Sequence, residues 1–266
     1  MSLARSEKPS VDPAKLKAFG EVGYTRIEGV LARNEALAMR PLLDKAIDED
    51  IQKWGENPAY IDHWMVHNLM VRGAPFLHLL DNTVMHAYLD AAFSPSCILY
   101  AYTSSSMPGG GSNFSRRIHV DAARLVPGYI TNVGFFVACD DITVENGAMH
   151  MLAHSQWRAD PPAEADFMRD AERMTLSAGD AVLFNARTWH MGGHNTTDRP
   201  RHAVTMNICR AFMKQRFDYP RLVPPELIAQ LSPKGRAFLG MDSRVPTSLE
   251  EYYVPESERL YKAGLG

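Results

Sequence analysis

The sequence has little from which to build a disulfide framework, a membrane span or a nucleic-acid surface. Its 266 residues include three cysteines, Cys97, Cys139 and Cys209. They are far apart, odd in number and set in apolar stretches, so they read as buried thiols of a reducing compartment. No apolar run approaches the roughly 20 residues of a membrane helix, and stretches such as Val133–Cys139 are only strand-sized. The opening MSLARSEKPS lacks the apolar core of a signal peptide, so the expected setting is the cytoplasm. With 28 Lys and Arg against 31 Asp and Glu, the basic surplus of a dedicated nucleic-acid binder is missing too. A composition 45% hydrophobic and 22% charged is that of a globular chain, so wholesale disorder is not expected.

Local patterns divide the chain into a helical opening, a β-rich middle and a proline-punctuated end. Asp12–Phe19 reads as a helix capped by Asp12, with Pro13 at its first position and Gly20 ending it. Tyr24–Val30 reads as a strand. Asn34–Gln52 has helical spacing, Leu43, Ile47 and Ile51 sharing one face, with a break expected at Pro41. A helical pair follows at Ala74–Leu80 and Asn82–Ala92, the second capped by Asn82. Strand-like stretches then run Cys97–Thr103, Arg117–Asp121, Tyr129–Ala138, Ala148–Leu152, Arg173–Leu176, Ala181–Phe184 and His202–Cys209. Helical pieces return at Pro225–Leu231 and Glu256–Lys262. Many short strands at near-regular spacing predict a β-barrel or double-sheet jelly roll. The expected organisation is one domain over 1–266: helical support in 1–95, a β-core in 96–212 and a wrapping segment in 213–266. The opening helices alone would have no face to bury.

The strongest chemical feature is His119-Val120-Asp121. On a strand, alternate side chains share a face, so an imidazole and a carboxylate stand side by side, two arms of a facial triad that leaves open positions on non-haem iron. The bland alternative is a surface pair. A third ligand must come from elsewhere, and the segment Thr188-Trp189-His190-Met191-Gly192-Gly193-His194-Asn195 offers His190 and His194. His190 is preferred, because His194 follows two glycines in a turn. Arg201 follows on the next strand. A planar guanidinium there suits the far carboxylate of a dicarboxylate cosubstrate. His202, its neighbour, would face outward. His150 and His154 read as structural.

The ordered set His119-x-Asp121, Asn146-Gly147, Gly179-Asp180, Trp189-His190, Asn195 and Arg201, with the opening Phe19-Gly20-Glu21-Val22-Gly23-Tyr24, resembles the phytanoyl-CoA dioxygenase family of Fe(II)/2-oxoglutarate-dependent oxygenases. The resemblance spans roughly Asp12 to Arg210. It implies a mainly β fold with flanking α-helices, on a double-stranded β-helix (jelly-roll, cupin-like) core. It also implies Fe(II) on His119, Asp121 and His190, 2-oxoglutarate anchored by Arg201, and O2 as oxidant. By position in the family pattern, Thr103 would help hold the cosubstrate and Phe136 would line its pocket. Many members carry a Pro-Gly-Ser-His stretch where this chain reads Leu152-Ala153-His154-Ser155-Gln156, so the local loop differs. The intact Asp121 argues against the halogenating relatives, which have a small residue there.

Other residues have two readings each. Arg117 shares a strand face with His119, either as a salt-bridged surface cation or as a selector of an acidic substrate. Asn132 could bond cosubstrate or substrate. The segment Tyr60–Asn68, with His63 and His67, is either packing between helices and barrel or a wall over the iron, and His194 could touch substrate. The expected activity is hydroxylation, or another oxidation of an unactivated C–H bond, of a natural-product-like or amino-acid-like molecule, with succinate and CO2 as co-products. No dense basic cluster outside Arg116-Arg117 suits a coenzyme A phosphate. The rivals are a cosubstrate-independent cupin-type isomerase or dioxygenase, and a non-catalytic binding barrel. Expected partners are a small-molecule substrate, no nucleic acid and no membrane, with self-association into a homo-oligomer left open.

Overall fold

The computed structural model describes residues 9–55 and 64–265. The helical opening comprises α1 (Pro13–Val22), α2 (Arg33–Ala38), α3 (Arg40–Trp54), α4 (Ala74–Leu79) and α5 (Thr83–Ala92), with β1 (Tyr24–Ile27) between the first two. The core strands are β2 (Ile98–Ser104), β3 (Asn132–Ala138), β4 (Met149–Met151), β5 (Glu172–Met174), β6 (Ala181–Asn185), β7 (His190–Met191) and β8 (Ala203–Cys209), with α6 (Glu164–Asp170) before β5. The C-terminal stretch carries α7 (Tyr219–Leu222), α8 (Pro225–Ile228), α9 (Pro233–Leu239) and α10 (Leu249–Tyr252).

Two antiparallel sheets face each other, as in a jelly roll. The larger has the order β1-β6-β3-β8-β2 and the smaller β5-β4-β7. In the larger sheet Phe135 pairs with Leu183 and Met206, and Phe136 with Val182 and Thr205. Alternation therefore sends Val133, Phe135, Val137, Leu183 and Met206 outward onto the helices, where they join Leu43, Leu77 and Leu89 in one buried cluster. It sends Phe136, Val182 and Phe184 inward against Met149, Met151 and Met174 of the smaller sheet. Every residue of β3 is buried, because both of its faces are covered. The helices thus share the sheet's core.

Local chemistry explains most boundaries. The Asp12 side chain caps α1 by accepting from the Ala14 N–H, and Asn82 caps α5 by accepting from Met85. The break expected near Pro41 falls at Met39, between α2 and α3. α1, however, runs past Gly20 to Val22. The left-handed position is Gly23 (φ +96°), where a Cβ would lie 2.7 Å from Gln156 Oε1 and Thr188 Oγ1. Near the other end, Glu256–Lys262 is not a helix beyond the 3-10 turn Glu256–Glu258. The short helices α6, α7, α9 and α10 have too few turns to leave a periodic signal. The three cysteines are unbridged and buried. Among the described residues no helix is long and apolar enough to cross a membrane.

The stretch Arg117–Asp121 is not a ladder strand. It makes one isolated antiparallel bridge, between His119 and His190. Nor does His202 face solvent. It points away from the barrel interior but is buried against α3, with Nε2 3.0 Å from Asp44 Oδ1 and Nδ1 2.9 Å from Ser106 Oγ.

Candidate functional site

His119 and His190 exchange both main-chain hydrogen bonds, at 2.9 and 3.0 Å, so their side chains lie directly opposite one another. The ring centroids are 4.2 Å apart. Each Nδ1 donates to a main-chain carbonyl, His119 to Arg117 (2.7 Å) and His190 to Thr188 (2.9 Å). That fixes the tautomer and leaves both Nε2 atoms as acceptors. Asp121 is placed by a different device: its N–H and that of Ala122 donate to the Ala186 carbonyl at the end of β6. Its Oδ1 stands 3.5 Å from His119 Nε2 and 3.7 Å from His190 Nε2.

The donor atoms of these three residues lie within 4.8 Å of one another. Donors set at right angles on bonds of roughly 2.1 Å stand about 3 Å apart, so these side chains would draw together on binding a first-row divalent ion. Burial, and then the neighbouring His119, pull His190 down to about 4, against the pull of Asp121, so it is neutral near pH 7 as a ligand must be. Burial acts to raise the Asp121 carboxyl, but the two histidines hold it below its ordinary value, so it is ionised. Two imidazole nitrogens and one carboxylate on one side of a cavity form the donor set that suits non-haem iron.

The cavity beside them measures about 310 Å3, and its walls include Phe136, Phe184, Thr205, Arg117, Arg201 and Arg216. Arg201 is 2% exposed. Its guanidinium donates to the carbonyls of Ser105 (2.8 Å), Gly147 (3.0 Å) and Asn146 (3.4 Å). Those three bonds leave one N–H on each terminal nitrogen. Among the described residues no carboxylate forms an ion pair with Arg201, and burial pulls it down to about 10 against the more distant charge of Asp140. A buried cation without a counter-ion is costly unless an anion joins it. The deep end of the cavity therefore fits a carboxylate ligand.

The sequence-derived candidates divide into two groups. His119, Asp121, His190, Arg201, Phe136 and Arg117 share the cavity. Thr103 lies on the same sheet face but one strand further out, opposite Thr205, and it is Thr205 that forms part of the wall. Asn132 is buried and donates to Asn207 Oδ1 (2.9 Å) rather than lining the cavity. His67 bridges to Thr103, its ring 6.1 Å from that of Phe217, while nearby Met65 contributes to the wall. His194 turns away, 2.9 Å from an Arg116 terminal nitrogen. His63 lies outside the described residues.

Three contributors were not visible in the sequence. Gly134 opens space for the Phe184 ring, since a Cβ there would fall 2.0 Å from it, and Phe184 packs edge-on against His190 at 5.3 Å. Arg187, buried, donates to the carbonyls of Ala122 and Ala123 (3.2 Å each), just beyond Asp121, and to Arg158 (2.6 Å). A charged residue three positions after the apolar run Ala181–Phe184 was the one available hint for Arg187. Arg216 sits in a turn after β8, where no periodicity marks it.

A family model described as "Phytanoyl-CoA dioxygenase (PhyH)" matches residues 19–203. The chain is 29% identical over 256 residues to "Uncharacterized protein Rv1501" of Mycobacterium tuberculosis, covering 94% of each. It is 26% identical over 237 residues to "Dioxygenase FrzG" of Cladobotryum sp, covering 82% of this chain and 73% of that one. Among solved structures, the non-haem alpha-ketoglutarate-dependent epimerase SnoN from nogalamycin biosynthesis superposes with a TM-score of 0.58 at 22% identity, over 75% of this chain and 85% of that one. The non-haem monooxygenase ThoJ in its nickel complex gives a TM-score of 0.59 at 16% identity, over 76% and 79%. At such identities the structures speak for the fold, while the family match covers most of the chain, bridge, Asp121 and Arg201 included. The chain belongs to the phytanoyl-CoA dioxygenase family.

Proposed function

We propose that this dioxygenase-family protein is an Fe(II)/2-oxoglutarate-dependent enzyme that hydroxylates, or otherwise oxidises, an unactivated C–H bond of a small molecule, with succinate and CO2 as co-products. The observation that carries this reading is the pairing, in one cavity, of the His119/Asp121/His190 donor set with the buried Arg201, which forms no ion pair among the described residues. Bound there, iron with 2-oxoglutarate and O2 supplies the oxidising power, and the protein's own part is placement. His119, Asp121 and His190 would hold the metal from one side, leaving the rest of its coordination sphere facing the cavity. Arg201 would grip the far carboxylate with its two remaining N–H groups. Phe136 and Phe184 keep the floor apolar, which strengthens the electrostatic contacts inside and keeps bulk water from the reacting bond. Thr205 has the hydroxyl to bond a cosubstrate oxygen, the role expected of Thr103.

A natural-product-like or amino-acid-like substrate suits the modest cavity, and one structural neighbour is described as acting in nogalamycin biosynthesis. The test is anaerobic addition of Fe(II) and then 2-oxoglutarate to the protein, followed in the visible spectrum. A weak charge-transfer band that needs both additions is expected, with oxygen-dependent succinate release afterwards. Metal binding without any response to 2-oxoglutarate would instead favour a cosubstrate-independent metal enzyme.

A further inference from the structure

Three guanidiniums line the cavity, Arg117, Arg201 and Arg216, against a single carboxylate among the described residues, Asp121. The chain as a whole carries a formal charge of −3, so this is a local concentration of positive charge. Bound iron and 2-oxoglutarate, one a dication and the other a dianion, would cancel, so the loaded cavity would keep an excess of two positive charges. Arg201 is spoken for at the deep end. The excess therefore belongs to Arg117 and Arg216.

Both are exposed, and neither forms an ion pair among the described residues. The Arg117 guanidinium lies over the Phe114 ring, 4.4 Å from its centroid, and Phe114 is itself a cavity residue 52% exposed. Stacking holds the planar fork without using its N–H groups, which stay free for a ligand. The main chain at both arginines is fixed: the Arg117 carbonyl accepts from His119 Nδ1 (2.7 Å), and the Arg216 N–H donates to the Tyr100 carbonyl (3.0 Å). Two exposed guanidiniums unpaired by acids among the described residues, one held by stacking and the other carried on a fixed main chain, make a receptor for an oxyanion beside the cavity.

We infer that the substrate carries a carboxylate or phosphate group, and that Arg117 and Arg216 grip it at the cavity mouth while its reacting carbon reaches the metal. At about 310 Å3 the cavity is near the lower limit of ligand pockets, roughly 300–1,000 Å3, and must also admit the cosubstrate. The charged end of the substrate thus belongs at the rim, in water's reach, where desolvation costs least. The inference rests on the proposed function, which supplies the cosubstrate that occupies Arg201.

The test uses protein loaded with Ni(II), which does not turn over, and saturating 2-oxoglutarate, titrated by calorimetry with inorganic phosphate and, separately, propionate in a buffer free of oxyanions. One saturable site is expected for at least one probe, weakened about tenfold or more in Arg216→Gln and in Arg117→Gln. The Ni(II) and 2-oxoglutarate affinities of Arg216→Gln should stay within about twofold of wild type. The probe that binds more tightly says whether the substrate group is phosphate or carboxylate. No saturable binding by wild type, or binding undiminished in both variants, overturns the inference. So does a loss of 2-oxoglutarate affinity in Arg216→Gln, which would assign that arginine to the cosubstrate. Failure of Ni(II) or 2-oxoglutarate to bind wild type at all, read in the loading step, counts against the proposed function separately.

Discussion

The two sheets that enclose the site are built on different terms. The larger has strands of four to seven residues, a helical layer behind it and apolar side chains on both faces of β3. The smaller has strands of two and three residues, with the seven-residue α6 against it, where Phe167 lies beside His150 of β4. Yet the smaller sheet holds two of the candidate metal ligands: His190 is in β7, and His119 bridges to it. Such short ladders carry few hydrogen bonds of their own. Side chains supply what is missing, as Arg201, two residues before β8, reaches the carbonyls of Asn146 and Gly147, and Arg187 ties down the segment after Asp121. The larger sheet works as scaffold, and the smaller keeps its geometry by being stitched to it.

That contrast can be broken at several points. The largest effect belongs to His190→Ala, which should abolish the 2-oxoglutarate-dependent band and lower activity at least about a thousandfold, whereas His194→Ala should leave both within about twofold. Absorbance titration of the two variants side by side decides it. Next comes the scaffold: Phe135→Ala should cost about 3–5 kcal/mol in urea unfolding, because its ring is fully buried between sheet and helices. A loss below about 1 kcal/mol would mean that the larger sheet is not the stabilising layer.

Arg201→Met tests the stitching itself. Three carbonyls lose their donor, for about 2–4 kcal/mol of stability, and 2-oxoglutarate binding should vanish while the metal still binds. Arg187→Met should be milder, weakening metal affinity about tenfold with the fold retained, since it frees the turn beyond Asp121 without removing a ligand. Calorimetry with Ni(II) reads this directly, and unchanged affinity would show that Ala186 alone positions the carboxylate.

The smallest effect is a pH dependence in the smaller sheet. His150, in β4, is buried beside Phe167, and its Nδ1 finds no hydrogen-bond partner among the described residues. Burial and then Arg173 pull it down to about 4 from its ordinary 6.5. Between those values the unfolded chain binds more protons than the folded one, so stability falls as pH drops from about 6.5 to 4 and then levels from this source. His150→Leu should make that part of the unfolding-midpoint profile shallower. An identical slope would show that other groups govern the acid limb; His86 and His202 are also pulled down by burial.

Local chemistry in the sequence determined a good deal. A cap such as Asn82, a breaker such as Pro41 and an apolar run such as Val133–Cys139 act within a few residues, so helices, strands and their approximate limits could be read from them. The spacing of His119 and Asp121 marked the chemistry even though the strand expected to carry them is only a bridge. Resemblance to the family extended this to His190 and Arg201. Tertiary structure alone decided which side chains share the cavity. His119 meets His190 across 71 residues of chain, Thr205 rather than Thr103 forms the wall, and Arg216 arrives from a turn with no pattern of its own. Nor could local rules foresee that His202 is buried against α3 or that Arg201 bonds three carbonyls from two loops. Backbone propensity and periodicity act over a turn or a strand, whereas register and the meeting of distant loops are set by how two sheets and a helical layer fill space together.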